Sequence, residues 1–249
     1  MVIVKTATEI SMLREAGRIS ALALKTGGEA VEPGITTGEI DKLIHDFIVF
    51  QGATPSFLNY EGFPATACIS VNDEIIHGFP GSRVLVEGDI VTIDVGACVE
   101  GYHGDNAATF AVGKISPEAQ RLLDTTRESL YQGIAQALTG NRIGDISWAV
   151  QSYVEERGYS VIRNYTGHGV GRDVHEDPEV PNFGKPGHGL RLVNGMVIAI
   201  EPMVNAGGRF THTDSNGWTV RTSDGSNSAH FEHTIAITDG PALVLTRRE

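Results

Sequence analysis

The sequence predicts an α+β fold of two pseudo-symmetric halves, in which helices pack on one side of a curved, mainly antiparallel sheet. Three segments recur at one nearly constant spacing, which indicates two halves of similar fold. These pairs are "VEGDIVTID" (86–94) with "VNGMVIAIE" (193–201), "GITTGEI" (34–40) with "GNRIGDI" (140–146), and "NYEG" (59–62) with "NYTG" (164–167). Each half starts with helical patterns and continues as short strands, and no linker separates them. We therefore expect a single domain over 1–249, with halves of approximately 1–113 and 114–249.

The first half opens with two helices whose starts carry capping boxes. Thr6 with Glu9 predicts a helix that continues to about residue 27. Thr36 with Glu39 predicts a second helix, which Gly52 ends. The apolar residues of this second helix share one face at helical spacing: Ile40, Leu43, Ile44, Phe47 and Ile48. Strands and turns are expected from there to residue 112.

The second half repeats this order. Ser116 followed by Pro117 predicts a helix start with proline at the first position. Asp145 is expected to cap the next helix, and Gly158 to end it. Strands follow to residue 245, interrupted by a polar insertion, "GGRFTHTDSNGWTVRTSDGSNS" (207–228), that the first half lacks.

Charge and composition exclude several classes of protein. The chain has 249 residues, a formal net charge of −12, a pI of about 5.2 and a mean hydropathy of −0.08. The absence of Lys/Arg runs argues against nucleic acid as the main ligand. No apolar stretch is long enough for a membrane span or a signal core. Cys68 and Cys98 form no disulfide framework, so we expect a reducing compartment, the cytoplasm, and a monomer.

Four acids occupy places where buried strands normally carry apolar residues. Asp94 follows the strand "IVTI", and Asp105 opens "AATFAV". In the second half, Glu201 is the repeat partner of Asp94, and Glu232 opens a strand as Asp105 does. A single acid of this kind is usually a salt-bridge partner or a solvated strand end. Under the pseudo-twofold, however, the two pairs meet at one point.

Four carboxylates at one point repel each other, and two divalent cations would neutralise them. Metal sites often add an imidazole, and His168 in "NYTGHGVG" is a candidate fifth ligand. A turn or core histidine is the alternative for His168 taken alone. The repeat places Phe63 at the equivalent position, so the symmetry is broken there.

The motifs "IDVGACVEGYHGD", "TGHGVG", "AIEP" and "FEHT" closely resemble those of the type I methionine aminopeptidases, and the similarity covers almost the whole chain. The resemblance implies the pita-bread fold and a single catalytic domain. It also implies removal of the initiator methionine from nascent proteins and peptides that have a small second residue. The chain shows no N-terminal zinc-binding extension and no long helical insert between His168 and Glu201, which is expected of the short, bacterial-like form.

The resemblance also implies which candidate ligand binds which metal ion. Asp94 is expected to bind one metal ion, and His168 with Glu201 the other. Asp105 and Glu232 are expected to bridge both ions. The ligand set accepts two divalent ions of Mn, Fe, Co or Zn.

Three residues are assigned catalytic roles by the same resemblance. Glu201 is expected to transfer protons, while His77 and His175 contact the substrate and the tetrahedral intermediate. A water or hydroxide held between the two metal ions attacks the scissile carbonyl. The methionine pocket is expected to contain Phe57, Tyr60, Phe63, Cys68, His77, Val174, His175 and Trp218. His230 received no role.

Other interpretations stay open. A prolidase or X-Pro aminopeptidase shares the fold but carries a separate N-terminal domain, whereas this chain begins directly with the first helix of the repeat. A binding protein that had lost its metals should also have lost ligands, yet all five are present. The implied partners are nascent polypeptide N-termini, with transient ribosome association left open.

Overall fold

A computed structural model of the chain describes residues 2–247 and confirms the α+β class. Helices of more than one turn are α1 (Ala7–Glu29), α2 (Thr37–Phe50), α3 (Pro117–Ala135) and α4 (Ile143–Glu155). A 3-10 turn covers Tyr60–Gly62. Within this range, no helix has both the length and the apolar character needed to cross a membrane.

The strands of the first half alternate with turns between α2 and α3. They are β1 (Thr54–Pro55), β2 (Ala67–Val71), β3 (Glu74–Ile76), β4 (Ile90–Val99) and β5 (Tyr102–Ala111). Those of the second half follow α4. They are β6 (Ser160–Val161), β7 (Gly167–Gly169), β8 (Glu176–Val180), β9 (Val197–Ile200), β10 (Met203–Asn205), β11 (Thr211–Thr213), β12 (Val220–Thr222), β13 (Ser228–His230), β14 (His233–Ala236) and β15 (Leu243–Val244).

The predicted helix starts are confirmed, with one correction. In α1 and α2 the capping boxes form, and Glu39 Oε2 accepts from the Thr36 backbone N–H at 2.8 Å. Asp145 is not the cap of α4, because the helix begins earlier and Arg142 occupies the N-cap. Asp145 instead accepts from the Arg142 backbone N–H at 2.7 Å, as the third residue of a capping box does. In α2, Leu43 is exposed on the solvent side of the predicted apolar face.

The described strands pair antiparallel, as predicted, but they form several sheets rather than one shared sheet. β4 lies between β1 and β2 on one edge and β5 on the other, and a five-stranded sheet has the order β15-β14-β9-β7-β8. β10 pairs with β13 and β6, and β12 pairs with β11 and β3. Short strands and register shifts separate these ladders. The internal sequence repeat predicts equivalent strands in the two halves, but it does not show where the hydrogen bonds between neighbouring strands end.

The two halves meet where β5 lies beside β14. Thr234 Oγ1 donates to the Asp105 carbonyl at 2.7 Å and accepts from the Asp105 backbone N–H at 3.2 Å. The Glu232 backbone N–H donates to the Ala107 carbonyl at 3.0 Å. These bonds bring the acid-bearing segments of the two halves together, as the predicted pseudo-twofold requires.

Packing of the helices buries the sheet surface beside this junction. α1 packs against β4 and β5, while α3 packs against α4 and strands of the second half. The largest buried apolar cluster draws residues from both halves, among them Ile44, Ile93, Leu122 and Ile200. The acids of the site therefore lie in an apolar frame that holds their backbone in place.

Candidate metal centre and active site

Two paired strands and two strand ends place the four acids in one group. Asp94 and Asp105 lie on the paired strands β4 and β5, joined by a two-residue turn in which Glu100 and Gly101 have φ of 50° and 79°. Glu201 follows the last residue of β9, and Glu232 precedes the first residue of β14. Because His233 pairs with Ile200, these two glutamates come next to each other in the register.

His168 completes the group from the middle of β7. Its Nε2 lies 3.8 Å from Asp105 Oδ2 and 3.4 Å from Glu201 Oε1. Asp105, His168 and Glu232 each offer a ligand atom, and these three atoms lie within 4.8 Å of one another. Asp94 is close enough to raise the pKa of Asp105, Glu201 and Glu232 through its charge. The structure thus brings together all five ligands predicted from the sequence.

Local backbone contacts fix the orientation of His168. Its Nδ1 lies 2.9 Å from the Gly169 carbonyl, which can only accept, so Nδ1 carries the proton and Nε2 presents its lone pair to the acids. The flanking glycines are required because neighbouring strands lie close on both sides. A Cβ at Gly167 would overlap the Ala199 carbonyl, and one at Gly169 would overlap the Asp177 carbonyl.

Burial makes the ionised form of this group unfavourable without a counter-charge. Burial raises the pKa of Asp94 from 3.8 to about 7. Burial, with added repulsion from the other carboxylates, raises the pKa values of Asp105, Glu201 and Glu232. Burial, together with the nearby His175, lowers the pKa of His168 to about 3, so the ring is neutral at physiological pH.

The donor chemistry fits divalent cations. Asp94 Oδ1, Asp105 Oδ1 and Glu232 Oε1 are buried and have no hydrogen-bond partner among residues 2–247. Buried carboxylate oxygens without a donor are costly, and a cation supplies the missing charge. Four carboxylates and a neutral imidazole match the oxygen-rich, nitrogen-containing sets that bind Mn, Fe, Co or Zn.

A cavity of about 600 Å³ opens directly beside the acids. Of the predicted site residues, these line it: Phe57, Tyr60, Phe63, Cys68, His77, Asp94, Asp105, His168, His175, Glu201, Trp218 and Glu232. Val174 is not among the described lining residues. It is buried in one apolar cluster with the lining residues Phe57, Phe63 and Cys68.

The apolar end of the cavity is built from aromatic rings. The Phe63 ring meets Phe79 and Trp218 edge-on, with centroids 5.3 Å apart in both pairs. Burial raises the pKa of the Cys68 thiol well above its ordinary value, so this side chain acts as a small apolar wall. Such a wall suits an unbranched apolar or thioether side chain.

Both predicted substrate-contacting histidines border the acids. The His175 ring lies 4.3 Å from the His168 ring, centroid to centroid, and its Nδ1 is 3.0 Å from the Tyr60 hydroxyl. His77 has a positive φ of 58°, a strained backbone for a residue with a side chain. Burial lowers the pKa of His77 to about 4, so a neutral imidazole faces the cavity.

Sequence reasoning missed several lining residues. Tyr165 packs edge-on against the His77 ring at 6.0 Å, and its position just before "TGHG" was the available signal. The others are Glu61, Ile76, Thr166, Glu176, Asp177 and Glu179.

The insertion at 207–228 is anchored to the first half by one arginine. Arg221 contacts Asp73 at 3.0 Å and Glu74 at 2.6 Å, both in the first half, and Asp214 at 2.7 Å within the insertion. The Thr219 hydroxyl donates to the His77 carbonyl at 3.2 Å. These bonds hold Trp218 over the apolar end of the cavity.

Comparison with known proteins agrees with this geometry. The model of metallopeptidase family M24 matches residues 11–239. The chain belongs to metallopeptidase family M24. Methionine aminopeptidase 1 of Bacillus subtilis is 53% identical over 99% of this chain and 100% of the relative. A methionine aminopeptidase structure from Rickettsia prowazekii has a TM-score of 0.98 at 40% identity, covering 99% of this chain and 100% of that one.

Within M24 the chain is thus a member of the methionine aminopeptidase group, and the predicted pita-bread fold and metallo-aminopeptidase class are confirmed. A prolidase structure from Pyrococcus horikoshii is more distant, with a TM-score of 0.81 at 25% identity. It matches all of this chain but only 65% of its own length. The fold is therefore shared by both groups, and the sequence similarity separates them.

Proposed function

We propose that this M24 member removes an N-terminal methionine from peptides and nascent proteins whose second residue is small. The observation that carries the proposal is the group of buried, unpartnered carboxylate oxygens beside a cavity with an apolar end. Nascent chains follow as the natural substrate class, while cytoplasmic location, monomeric state and transient ribosome association stay predictions from the sequence.

The proposed ligand assignment uses both halves of the site. Asp94 would hold one divalent ion, His168 and Glu201 a second, and Asp105 and Glu232 both. Two divalent cations balance the four carboxylates in charge, which supports two ions rather than one. When bound, such ions polarise a carbonyl and lower the pKa of water.

The chain's own residues would then bind and process the substrate. The aromatic end of the cavity, with Phe63 and Trp218, holds the side chain of the first residue away from water. Glu201 accepts the proton of the attacking water and passes it to the departing amine, as a general acid–base. His175 donates to the carbonyl oxygen as charge develops, and its contact with Tyr60 orients its ring.

The small second residue is expected from the position of His77. Its ring is held between Tyr165 and Trp218, with centroids 6.0 Å from each. The strained backbone and the Thr219 bond keep this wall from moving aside. A bulky second side chain would therefore contact a rigid wall.

Metal dependence and specificity can be tested together. Dialysis against a chelator should abolish hydrolysis of Met-Ala-Ser, and added Mn, Fe or Co should restore it. With one metal, norleucine-Ala-Ser should be cleaved with a kcat/KM within about 10-fold of that for Met-Ala-Ser, because norleucine is nearly isosteric with Met and even a whole methylene changes transition-state binding by only about 1–3 kcal/mol. Leu-Ala-Ser, Lys-Ala-Ser and Met-Phe-Ser should be poor substrates.

Three results would contradict the proposal. Equal rates on Leu and Met substrates would remove the pocket assignment. A preference for Ala-Pro-Ser would favour the X-Pro aminopeptidase reaction of the more distant relatives. Full activity in protein shown to be metal-free by elemental analysis would reject the metal centre itself.

A further inference from the structure

His230 is a fully buried histidine next to the metal centre that the proposed reaction does not use. It ends β13 with 1% of its surface exposed. Neither Nδ1 nor Nε2 has a hydrogen-bond partner among residues 2–247. Its backbone is fixed on both sides by one residue of β5, since the His230 N–H donates to Thr109 Oγ1 at 2.9 Å and the Thr109 hydroxyl donates back to the His230 carbonyl at 3.0 Å.

The ring of His230 faces Glu201. Its Nε2 lies 3.6 Å from Glu201 Oε2, while the other oxygen, Oε1, lies 3.4 Å from His168 Nε2. The Glu201 carboxylate thus lies between two buried imidazoles, with one ring facing each oxygen. The two rings differ in one respect: the Nδ1 of His168 donates to the Gly169 carbonyl, whereas the Nδ1 of His230 has no partner in the described part of the chain.

A neutral imidazole has one N–H and one lone pair, and burying the N–H without an acceptor costs free energy. A proton on Nε2 gives this ring an acceptor in Glu201, whereas the other tautomer sets a lone pair against the carboxylate. The separation of 3.6 Å exceeds hydrogen-bond length by a few tenths of an ångström, which a small side-chain rotation can close.

We propose that His230 is a positioning residue that donates its Nε2–H to Glu201 Oε2 and so fixes the plane of that carboxylate. Oε1 is thereby directed toward His168 and the ion that the two residues share. This inference rests on the metal centre proposed above. The four carboxylates and His168 already supply the ligand set proposed above, so His230 is not needed as a ligand.

The test compares His230→Leu, which removes the donor, with His230→Gln, whose amide nitrogen reaches about as far as Nε2. In the leucine variant, affinity for Mn²⁺ measured by calorimetry and kcat for Met-Ala-Ser should each fall about 10–100-fold, the usual effect of losing a partner that orients a ligand. KM should change by less than about 3-fold, and the glutamine variant should recover most of both losses. Thermal unfolding of metal-free His230→Leu is measured in parallel, so that a loss of Mn²⁺ affinity in a folded protein is distinguished from a loss of the fold.

His233→Leu is the matched control. His233 is also buried and adjoins Glu232 in the chain, but its Nδ1 lies 2.9 Å from Thr246 Oγ1, and successive side chains along a strand point to opposite faces. This variant should lose stability and keep its Mn²⁺ affinity.

A double-mutant cycle on Mn²⁺ affinity decides whether His230 acts through Glu201. In a Glu201→Gln background, His230→Leu should have no further effect. Additive losses, wild-type affinity in His230→Leu, or a glutamine variant as weak as the leucine variant would each overturn the proposal. If His230→Leu fails to fold, His230→Met removes the same donor with a flexible side chain, and it is then used instead of His230→Leu in each comparison. These affinities are measured without turnover, so they stand even if the peptide specificity proposed above is wrong.

Discussion

Metal-free protein should become more stable when one of its proposed ligands is neutralised. The change is Asp94→Asn, which keeps the side-chain shape and removes the charge. In the folded chain, burial raises the pKa of Asp94 from 3.8 to about 7. An acid whose folded pKa is raised is easier to ionise in the unfolded state, so it lowers the free energy of unfolding once the pH exceeds the unfolded pKa.

The magnitude follows from that shift. At about 1.4 kcal/mol for each tenfold change in proton affinity, a rise from 3.8 to about 7 corresponds to about 4 kcal/mol at pH 8. Asp94 is partly exposed to the cavity, and water there screens its charge, so we expect about 2 kcal/mol. For a chain of this size that equals a rise in Tm of about 4–8 °C.

The assay is thermal unfolding of chelator-treated protein between pH 4 and pH 8. The increase in Tm caused by Asp94→Asn should be absent near pH 4 and should grow as the pH rises to about 7. With Mn²⁺ present the variant should instead be less stable than the parent, because it has lost a ligand. Asp46→Asn is the control, since Asp46 lies on the surface in an i,i+4 pair with Lys42 and should change stability by less than about 0.5 kcal/mol. A metal-free Asp94→Asn no more stable than the parent at pH 8, or a gain independent of pH, would refute the reasoning.

Three further changes test other parts of the site. Glu201→Gln should lower kcat by about 10²–10⁴-fold with the fold retained by circular dichroism; a folded, metal-loaded variant with normal kcat would reject the proton-transfer role. Gly169→Ala should lose about 1–3 kcal/mol of stability and most of its activity, because the new Cβ overlaps a backbone carbonyl of β8. The control is Gly81→Ala, where the new Cβ meets open space and stability should hardly change. Denaturant titration measures both. Arg221→Lys should raise KM for Met-Ala-Ser about 10-fold with little change in kcat. The reason is that losing one charge-assisted bond costs about 1.5 kcal/mol and loosens Trp218. An unchanged KM would show that the Arg221 bonds do not set the shape of the pocket.

The ligand set could be predicted because acids at buried strand positions are chemically conspicuous. Asp94 and Asp105 interrupt apolar runs, and the internal repeat identifies Glu201 as a counterpart of Asp94. An ionised carboxylate among apolar neighbours needs a counter-charge, so the pattern predicted a cation before any distance was known. The capping boxes of α1 and α2 were equally accessible, since each depends on residues three positions apart.

Features that depend on packing were missed or misplaced. Asp145 has the chemistry of a cap, but the helix begins earlier and Arg142 takes that position. Tyr165 lines the cavity only because the chain brings it against His77.

By itself, the sequence determined the helices and strands, the two halves and the chemical identity of the candidate ligands. Helix capping, hydrophobic periodicity and the free-energy cost of burying a charge each depend on only a few neighbouring residues. Only the tertiary structure decided which of these groups meet. The Thr234 bonds to Asp105 join strands far apart in the chain, and they bring Asp105 and Glu232 to one point. The same packing buries the His230 ring, whose nitrogens have no hydrogen-bond partner within 2–247, and turns it toward Glu201. Contacts of this kind depend on how whole faces fit together, and that fit is a property of the assembled core rather than of any local pattern.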